Sequence, residues 1–436
     1  MTIRNTSGIR FPGIQHKHLE VAFDGGAVTS DGGGILLRAA DKRLGLLRDA
    51  AAVLDDGRQH GKCAHSAADM LRQRVFGIIL GYEDLNDHNF LRREPGFQTI
   101  VGRERELASS PTLCRFENRH NRQSAIQLNK LFVERFVKSF EKPPKELILD
   151  FDTKATVTHG EQEGRHFHAH YDEYCMLPLY VFCGRQLLVS YLRPSKWDNA
   201  LHSAAILKLL VRRLRQEWPD VKIVFRADSG FCRSHLLHWC DRRGVDYIVG
   251  LAKNSRVEES GRDAMQKAER RFKKSGQKSR AFDHFGYKAR KWKHARKVII
   301  RAEHSDYGSN PRFIVTSLKG ISKNLYEDVY CARGEMENRI KEQVGLFCDR
   351  VSATEWWANQ FRLLLSGLAY SLVEGLRSIA LGNTTLAKAQ PETLRTRLFK
   401  IGAVVTSNSR RIIFHMSAAC PWQRDFIKIA GAFSTA

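Results

Sequence analysis

Apolar positions recur at helical spacing early in the chain. From Ser66 to Tyr82 the sequence reads SAADMLRQRVFGIILGY, which places Met70, Leu71, Val75, Ile78 and Ile79 on one helix face. Ser66 is a candidate N-cap, with Asp69 three residues on. A polar stretch with turns follows, including Glu94-Pro95-Gly96. Ser110-Pro111-Thr112 then opens another short helix, and Ser124 to Phe140 is amphipathic and basic. Up to about Lys145 the pattern is polar and mostly helical.

The period changes after Pro143-Pro144. Glu146 to Asp152 (ELILDFD) reads as a strand. Tyr174 to Phe182 and Gln186 to Leu192 are two more, joined as a hairpin by Cys183-Gly184-Arg185. Asn199 to Trp218 is a long amphipathic helix that Pro219 ends. Lys222 to Phe225 is a buried-type strand running into Arg226-Ala-Asp228-Ser-Gly230. Ser234 to Arg243 is helical up to Gly244, and Tyr247 to Leu251 is a strand. The order β-β-β-α-β-α-β predicts a mixed sheet with helices on its faces.

At about Lys253 that order is interrupted. Residues 251–300 hold 16 lysines and arginines against 5 acids. With strands expected at Val298–Ala302 and Arg312–Ser317, the segment reads as a basic, partly β insertion. Helix returns from about Ala332 to Arg350 and again from Trp356 to Ile379, and the C-terminal part reads as helical and basic. The expected organisation is a helical region (1–145), a sheet-bearing core (146–252), a basic insertion domain (253–325), a core helix (326–350) and a helical C-terminal region (351–436).

Composition sharpens this picture. The 436 residues carry 71 Lys and Arg against 47 Asp and Glu, a formal charge of +24. Such an excess implies a polyanionic partner, and a basic helical region ahead of a β-rich centre suits a DNA-binding module. No apolar run approaches the ~20 residues of a membrane span, so no membrane partner is expected. MTIRNTSGIRFPG lacks the apolar core of a signal peptide. Nine cysteines without a C-x-x-C pair read as reduced thiols, and the expected location is the cytoplasm.

The acids suggest chemistry. Asp152 ends the first strand, Asp228 follows the fourth, and Glu337 sits on the helix after the insertion. In a sheet of this order the first and fourth strands can lie side by side and parallel, bringing the two aspartates to the end where ligands bind in open α/β sheets. Glu337 can close the site from a helix packed across that end. Three carboxylates around one point repel unless cations lie between them, and oxygen-only ligation favours Mg²⁺ or Mn²⁺. Two such ions ~3.5–4 Å apart would activate an attacking oxygen and stabilise the leaving oxygen of a phosphodiester. Arg333, Glu337 and Lys341 recur every four residues as one helical stripe, which suits a metal-holding carboxylate between phosphate-holding neighbours. An exposed face laced with ion pairs gives the same pattern. Asp150 shares a strand face with Asp152 and is the alternate first acid. His166-x-His168-x-His170, with His159 before it, lacks a further ligand at zinc spacing and reads as surface or DNA-facing.

Several stretches carry a family resemblance: Leu71-Arg-Gln-Arg-Val-Phe-Gly77 with Gly81-Tyr-Glu-Asp84, Pro111-Thr-Leu-Cys-Arg-Phe-Glu-Asn118, and Asp172-Glu-Tyr-Cys-Met-Leu-Pro-Leu179. Others are Arg226-Ala-Asp-Ser-Gly-Phe231 and Tyr330-Cys-Ala-Arg-Gly-Glu-Met-Glu-Asn-Arg-Ile-Lys-Glu342. The chain resembles bacterial insertion-sequence transposases of the DDE type and, more narrowly, the insertion-sequence family numbered thirteen-eighty. The resemblance implies a ribonuclease H-like core and a metal-binding triad of Asp152, Asp228 and Glu337. Asp-Thr at the strand end matches the relatives and favours Asp152 over Asp150. Tyr330 and Arg333 fall in the relatives' motif Y-x-x-R-x-x-x-E, whose members contact DNA phosphates near the cut. A lysine seven residues after the glutamate in those relatives is Val344 here, and the nearest basic residue is Lys341.

The resemblance further implies an activity. The protein is expected to bind the terminal inverted repeats of its own element and to cleave and join DNA with Mg²⁺. Its partners would be repeat and target duplexes, and it would act as a homodimer on DNA at the bacterial nucleoid. The N-terminal region would read the repeat, with Pro111 to Asn118 opening a recognition helix. A metal-dependent nuclease without strand transfer and a non-catalytic DNA-binding regulator are the alternatives. Trp356, Trp357, Phe361, Leu364, Leu365 and Leu368 crowd one helix, as a dimer face or as core. Related transposases carry a β insertion in which a Trp holds a flipped base. Trp292 is the candidate here, with small-domain core as the other reading.

Overall fold

The computed structural model describes residues 9–434 and divides into two compact units. One comprises His120–Val344 and Cys348–Gly367; the other is built from Met1–Arg119, Gly345–Phe347 and Leu368–Ala436.

The first unit is organised by a nine-stranded mixed sheet. Its elements are α1 (Arg122–Lys138), β1 (Glu146–Thr153), β2 (Leu179–Cys183), β3 (Gln186–Tyr191), α2 (Ser203–Glu217), β4 (Lys222–Ala227), α3 (Ser234–Arg243) and β5 (Asp246–Leu251). They continue with α4 (Arg262–Ser275), β6 (Ser279–Tyr287), β7 (Arg296–Ser305), β8 (Arg312–Thr316) and α5 (Gly334–Val344). The main path across the sheet is β6-β7-β8-β5-β4-β1-β2-β3. β1, β4 and β5 are parallel, and every other pairing is antiparallel.

Alternation along the strands explains how both faces are covered. Leu147, Leu149 and Phe151 of β1, Ile223, Phe225 and Ala227 of β4, and Tyr247 and Val249 of β5 face one core. Val133, Phe136 and Val137 of α1, Leu207, Leu210 and Leu214 of α2, and Leu236, Leu237 and Cys240 of α3 fill it from the helix side. Val224, Ile248, Ile299 and Ile314 point the other way, toward Leu325 and Tyr326. Near-continuous apolar runs are what parallel strands buried on both faces require.

Four expectations are corrected here. The run Tyr174–Phe182 breaks at Leu177-Pro178, since Pro178 has no N–H to give a ladder. Its first half, Glu173–Met176, joins a small antiparallel sheet with Thr156–Val157 and His166–His168. Residues 253–325 form no separate domain, because β8 pairs antiparallel with the edge of β5 and β7 and β6 follow, so the same sheet simply grows. The helix expected within the N-terminal region, α1, packs in the sheet's own core. The C-terminal region is not all helix, for the β-branched runs Ala403–Ser407 and Ile412–Met416 form a hairpin that pairs with Val28–Thr29.

In the second unit Ser66 caps the helix Ala67–Leu80 as expected, its hydroxyl accepting from the Asp69 N–H at 3.1 Å. Arg74 on that helix pairs with Glu117 of the helix Ser110–Asn118 at 2.7 Å, both buried. Two of the resembling stretches thus meet in a structural ion pair. An exposed hairpin, Ile9–Ile14 with Lys17–Val21, precedes these helices.

The helix from Trp356 to Leu381 is long and apolar enough to cross a membrane by length and composition, contrary to the expectation that no such stretch exists. Its most apolar window is 67% buried within the protein, as in a core helix. Of the crowded residues, Phe361, Leu364, Leu365 and Leu368 are buried as core, whereas Trp356 and Trp357 are half-buried.

Trp292 is likewise core. It is 6% exposed, edge-on to Tyr287 at 5.6 Å, with the Arg296 guanidinium 5.5 Å from its ring and its backbone N–H donating to the Ala289 carbonyl. It lies in the turn from β6 to β7. Because β7 runs in the direction of β5, that turn lies at the end of the sheet away from Asp152 and Asp228. Trp292→Ala is therefore expected to cost about 3–5 kcal/mol and lower the melting temperature. A thermally unchanged variant that loses only a late strand-processing step would restore the base-stacking role.

Candidate active site

The parallel pairing of β1 with β4 sets the geometry. Phe151 lies opposite Ala227, so the next residues, Asp152 and Asp228, stand side by side where the two strands end. Asp228 then caps the short turn Ser229–Phe231, accepting from the Gly230 N–H at 2.8 Å. Asp152 accepts from the Thr153 N–H at 2.8 Å through its other oxygen. The third acid arrives on α5, which an irregular helical stretch, Leu325–Arg333, leads in.

Arg333 ties these acids together. One guanidinium nitrogen donates to Asp152 Oδ2 and another to Glu337 Oε1, each at 2.8 Å. Asp152 is buried, Asp228 half-buried, and the Glu337 side chain 52% open to solvent. Burial pushes the Asp152 carboxyl up to about 6; Arg333 opposes that rise, and the neighbouring Asp228 and Glu337 reinforce it. Arg333 is held above its ordinary value although burial works against it, because Asp152, Glu337 and Asp228 surround it. Burial is the chief reason the Tyr330 hydroxyl is pushed up to about 12.

Asp150 has a different surrounding. It lies opposite Arg226 on β4, which donates to both its oxygens at 2.5 and 2.7 Å. The same guanidinium donates to the Val329 carbonyl at 2.5 Å, so this buried pair also anchors the approach to α5. Lys341 is exposed one turn beyond Glu337, with no ion-pair partner among the described residues. Trp292 is remote from this centre, and His166, His168 and His170 lie on or beside the small side sheet.

Two residues the sequence reading passed over shape the centre. Arg226 is a cation inside an apolar strand, which signals a buried acid partner. Gly250 of β5 gives no such signal. A Cβ there would stand 2.7 Å from the Ser229 nitrogen and 2.8 Å from the Tyr330 hydroxyl, so only glycine lets Tyr330 approach Asp228. Gly250→Ala should displace both and reduce turnover about 10²-fold while leaving DNA affinity intact. Wild-type turnover by that variant would refute this role.

Among the described residues no three His, Cys, Asp or Glu side chains converge at metal-ligand distance, and the Arg333 guanidinium lies between Asp152 and Glu337. The donor set nevertheless fits a hard divalent cation, because every donor that Asp152, Asp228 and Glu337 offer is a carboxylate oxygen and Asp152 stands directly beside Asp228.

A mixed α/β sheet with acids at the ends of adjacent parallel strands and a third acid on a following helix is the arrangement expected of DDE transposases. The model of the family Transposase DDE domain group 1 matches residues 11–435, and the chain belongs to that family. No curated protein matches it. Among solved structures, a piggyBac transposase synaptic complex with hairpin DNA, determined by cryo-EM, is similar at 10% identity. That match covers 84% of this chain and 79% of the other, with a TM-score of 0.41.

Proposed function

We propose that this transposase binds the terminal inverted repeats of its element, cleaves there, and joins the ends to target DNA on a ribonuclease H-like core. The observation that carries the reading is the register of β1 and β4, which sets Asp152 beside Asp228, with Arg333 linking Asp152 to Glu337. Asp152 is the first acid of the triad, since the buried Arg226 holds both oxygens of Asp150 whereas Arg333 takes only one oxygen of Asp152. The bacterial family numbered thirteen-eighty remains the narrower assignment suggested by the quoted motifs.

Asp152, Asp228 and Glu337 would hold Mg²⁺, or Mn²⁺ in its place, and these ions, when bound, would activate the attacking oxygen and stabilise the leaving one. The chain's own groups do the rest. The Gly230 N–H fixes the rotamer of Asp228. Arg333, Tyr330 and Lys341 lie on the same stretch as Glu337 and position the phosphates on either side of the scissile bond, with Arg333 exchanging a carboxylate for a phosphate oxygen as DNA enters. Water first attacks phosphorus, forming one P–O bond as the bond to the 3′ oxygen breaks. The freed 3′-hydroxyl then attacks a target phosphodiester, and the displaced target 3′ oxygen leaves. The +24 charge supplies affinity that falls steeply with salt. The helical N-terminal region reads the repeat, phosphate contacts positioning it and base contacts specifying it. Two ends handled together call for a homodimer on DNA.

Supercoiled donor DNA with marked ends, Mg²⁺ and a target plasmid test the reading in one reaction. Joined products support it. Cleavage without joining would indicate a nuclease, and binding without cleavage a regulator.

A further inference from the structure

The sheet's outermost strand, β6, carries cations at both ends. α4 lies over β6 and β7: the Ser279 hydroxyl donates to the Ala268 carbonyl, Arg271 donates to the Arg280 carbonyl, and Phe272 packs on His304. On α4, Lys267, Arg270, Arg271 and Lys274 share one exposed helix face. With Asp263 and Ala264 of α4 and Phe282 and Asp283 of β6 they line an open groove of about 580 Å³, in which four cations outnumber two acids. At the other end of β6, the turn to β7 exposes Lys288, Arg290, Lys291 and Lys293. Nearby ion pairs engage other cations: Lys273 with Glu269, and Lys278 and Arg280 with Glu303. Among the described residues none of these two groups of four is paired with a carboxylate.

The turn is no loose arm. Trp292 sits in its middle, buried against Tyr287 and Arg296, and Arg296 is held in turn by Asp241 at 2.6 Å. The cations on either side of the Trp are therefore presented on a fixed surface. β6 has nine residues, a span of about 30 Å at ~3.4 Å per residue. Eight unpaired cations along such a strip repel one another unless a polyanion of matching length lies against them.

We propose that this edge is a second DNA-binding surface, which holds the phosphates of duplex DNA flanking the cut without reading its sequence. The inference rests on the transposase reading above. Four strand spacings separate β6 from β4, which leads into Asp228, about 19 Å at ~4.8 Å each. A duplex touching both places must therefore extend roughly six base pairs from the scissile phosphate, at ~3.4 Å per step. Base-specific contact is not expected of lysines and arginines spread along a sheet edge, which can follow a backbone but do not enter a groove as an element.

Two full-length variants test this independently: Lys288→Ala, Arg290→Ala, Lys291→Ala and Lys293→Ala together, and Lys267→Ala, Arg270→Ala, Arg271→Ala and Lys274→Ala together. The affinity of each for end-bearing duplexes is measured against salt, with melting temperature as the control for folding. Loss of about four phosphate contacts should flatten the slope of log K against log salt by about 3.6 and weaken binding at least tenfold at low salt. The loss should vanish on duplexes trimmed to fewer than about six base pairs beyond the cut, where cleavage should equal that of the wild type. Trimming the interior or the outer flank separately shows whether element or target DNA occupies the edge. An unchanged slope in either folded variant, or a loss that persists on the trimmed duplexes, overturns the proposal. A wild-type protein that binds no duplex at all would instead overturn the transposase reading.

Discussion

Asp228→Ala should abolish Mg²⁺-dependent cleavage of an end-bearing duplex, by at least about 10³-fold, and leave duplex affinity unchanged. Asp228 caps a turn of three residues and makes no ion pair among the described residues, so its removal costs little packing. Binding rests on 71 lysines and arginines, which the change does not touch. Asp152→Ala and Glu337→Ala should behave alike, because Asp152 stands beside Asp228 and Arg333 joins it to Glu337. Robust Mg²⁺-dependent cleavage by Asp228→Ala would sink the assignment of all three.

Asp150→Ala should fail in another way, losing about 3–5 kcal/mol of stability because it leaves the buried Arg226 guanidinium without its partner. Burial raises the Asp150 carboxyl and Arg226 opposes the rise. The bidentate contact nevertheless keeps the acid ionised against an arginine that cannot give up its proton. Asp152 should respond oppositely. Its value is raised to about 6 from 3.8, so the stability that the protonated form gives the fold is fully present below about pH 4 and is lost as pH rises through about 6. In chelator, Asp152→Asn should therefore gain stability relative to wild type as pH rises from about 4 to 6, whereas Asp150→Ala should be unstable throughout. Thermal denaturation of the three proteins across that range checks both signs. Stable, inactive Asp150→Ala beside active Asp152→Asn would reverse the choice of first acid.

The strand order through Leu251 and the positions of Asp152, Asp228 and Glu337 were legible because each signal is local. A period of two, a proline-bounded start and an acid at a strand end can all be read within ten residues. Pairing between distant strands is not local. Nothing in the Arg312–Thr316 run says that it will take the edge of β5, so a basic insertion looked like a domain of its own. Pro178 was visible, but its consequence, sending Glu173–Met176 to another sheet, depends on what lies beside it. Trp292 illustrates the limit of composition: aromatics among lysines suit base stacking and a small core equally, and burial separates them. Arg226 shows the reverse case. A charge in a buried strand demands a partner, and Asp150, on a strand already expected to lie beside it, was the available one.

The most direct test of the account is the position of the metal. Crystals of the protein on its end DNA, soaked in Mn²⁺ and measured at the manganese absorption edge, should show anomalous density between Asp152, Asp228 and Glu337, with Arg333 turned to a phosphate. Density at Asp150 or among His166, His168 and His170, with none at the three acids, would contradict it.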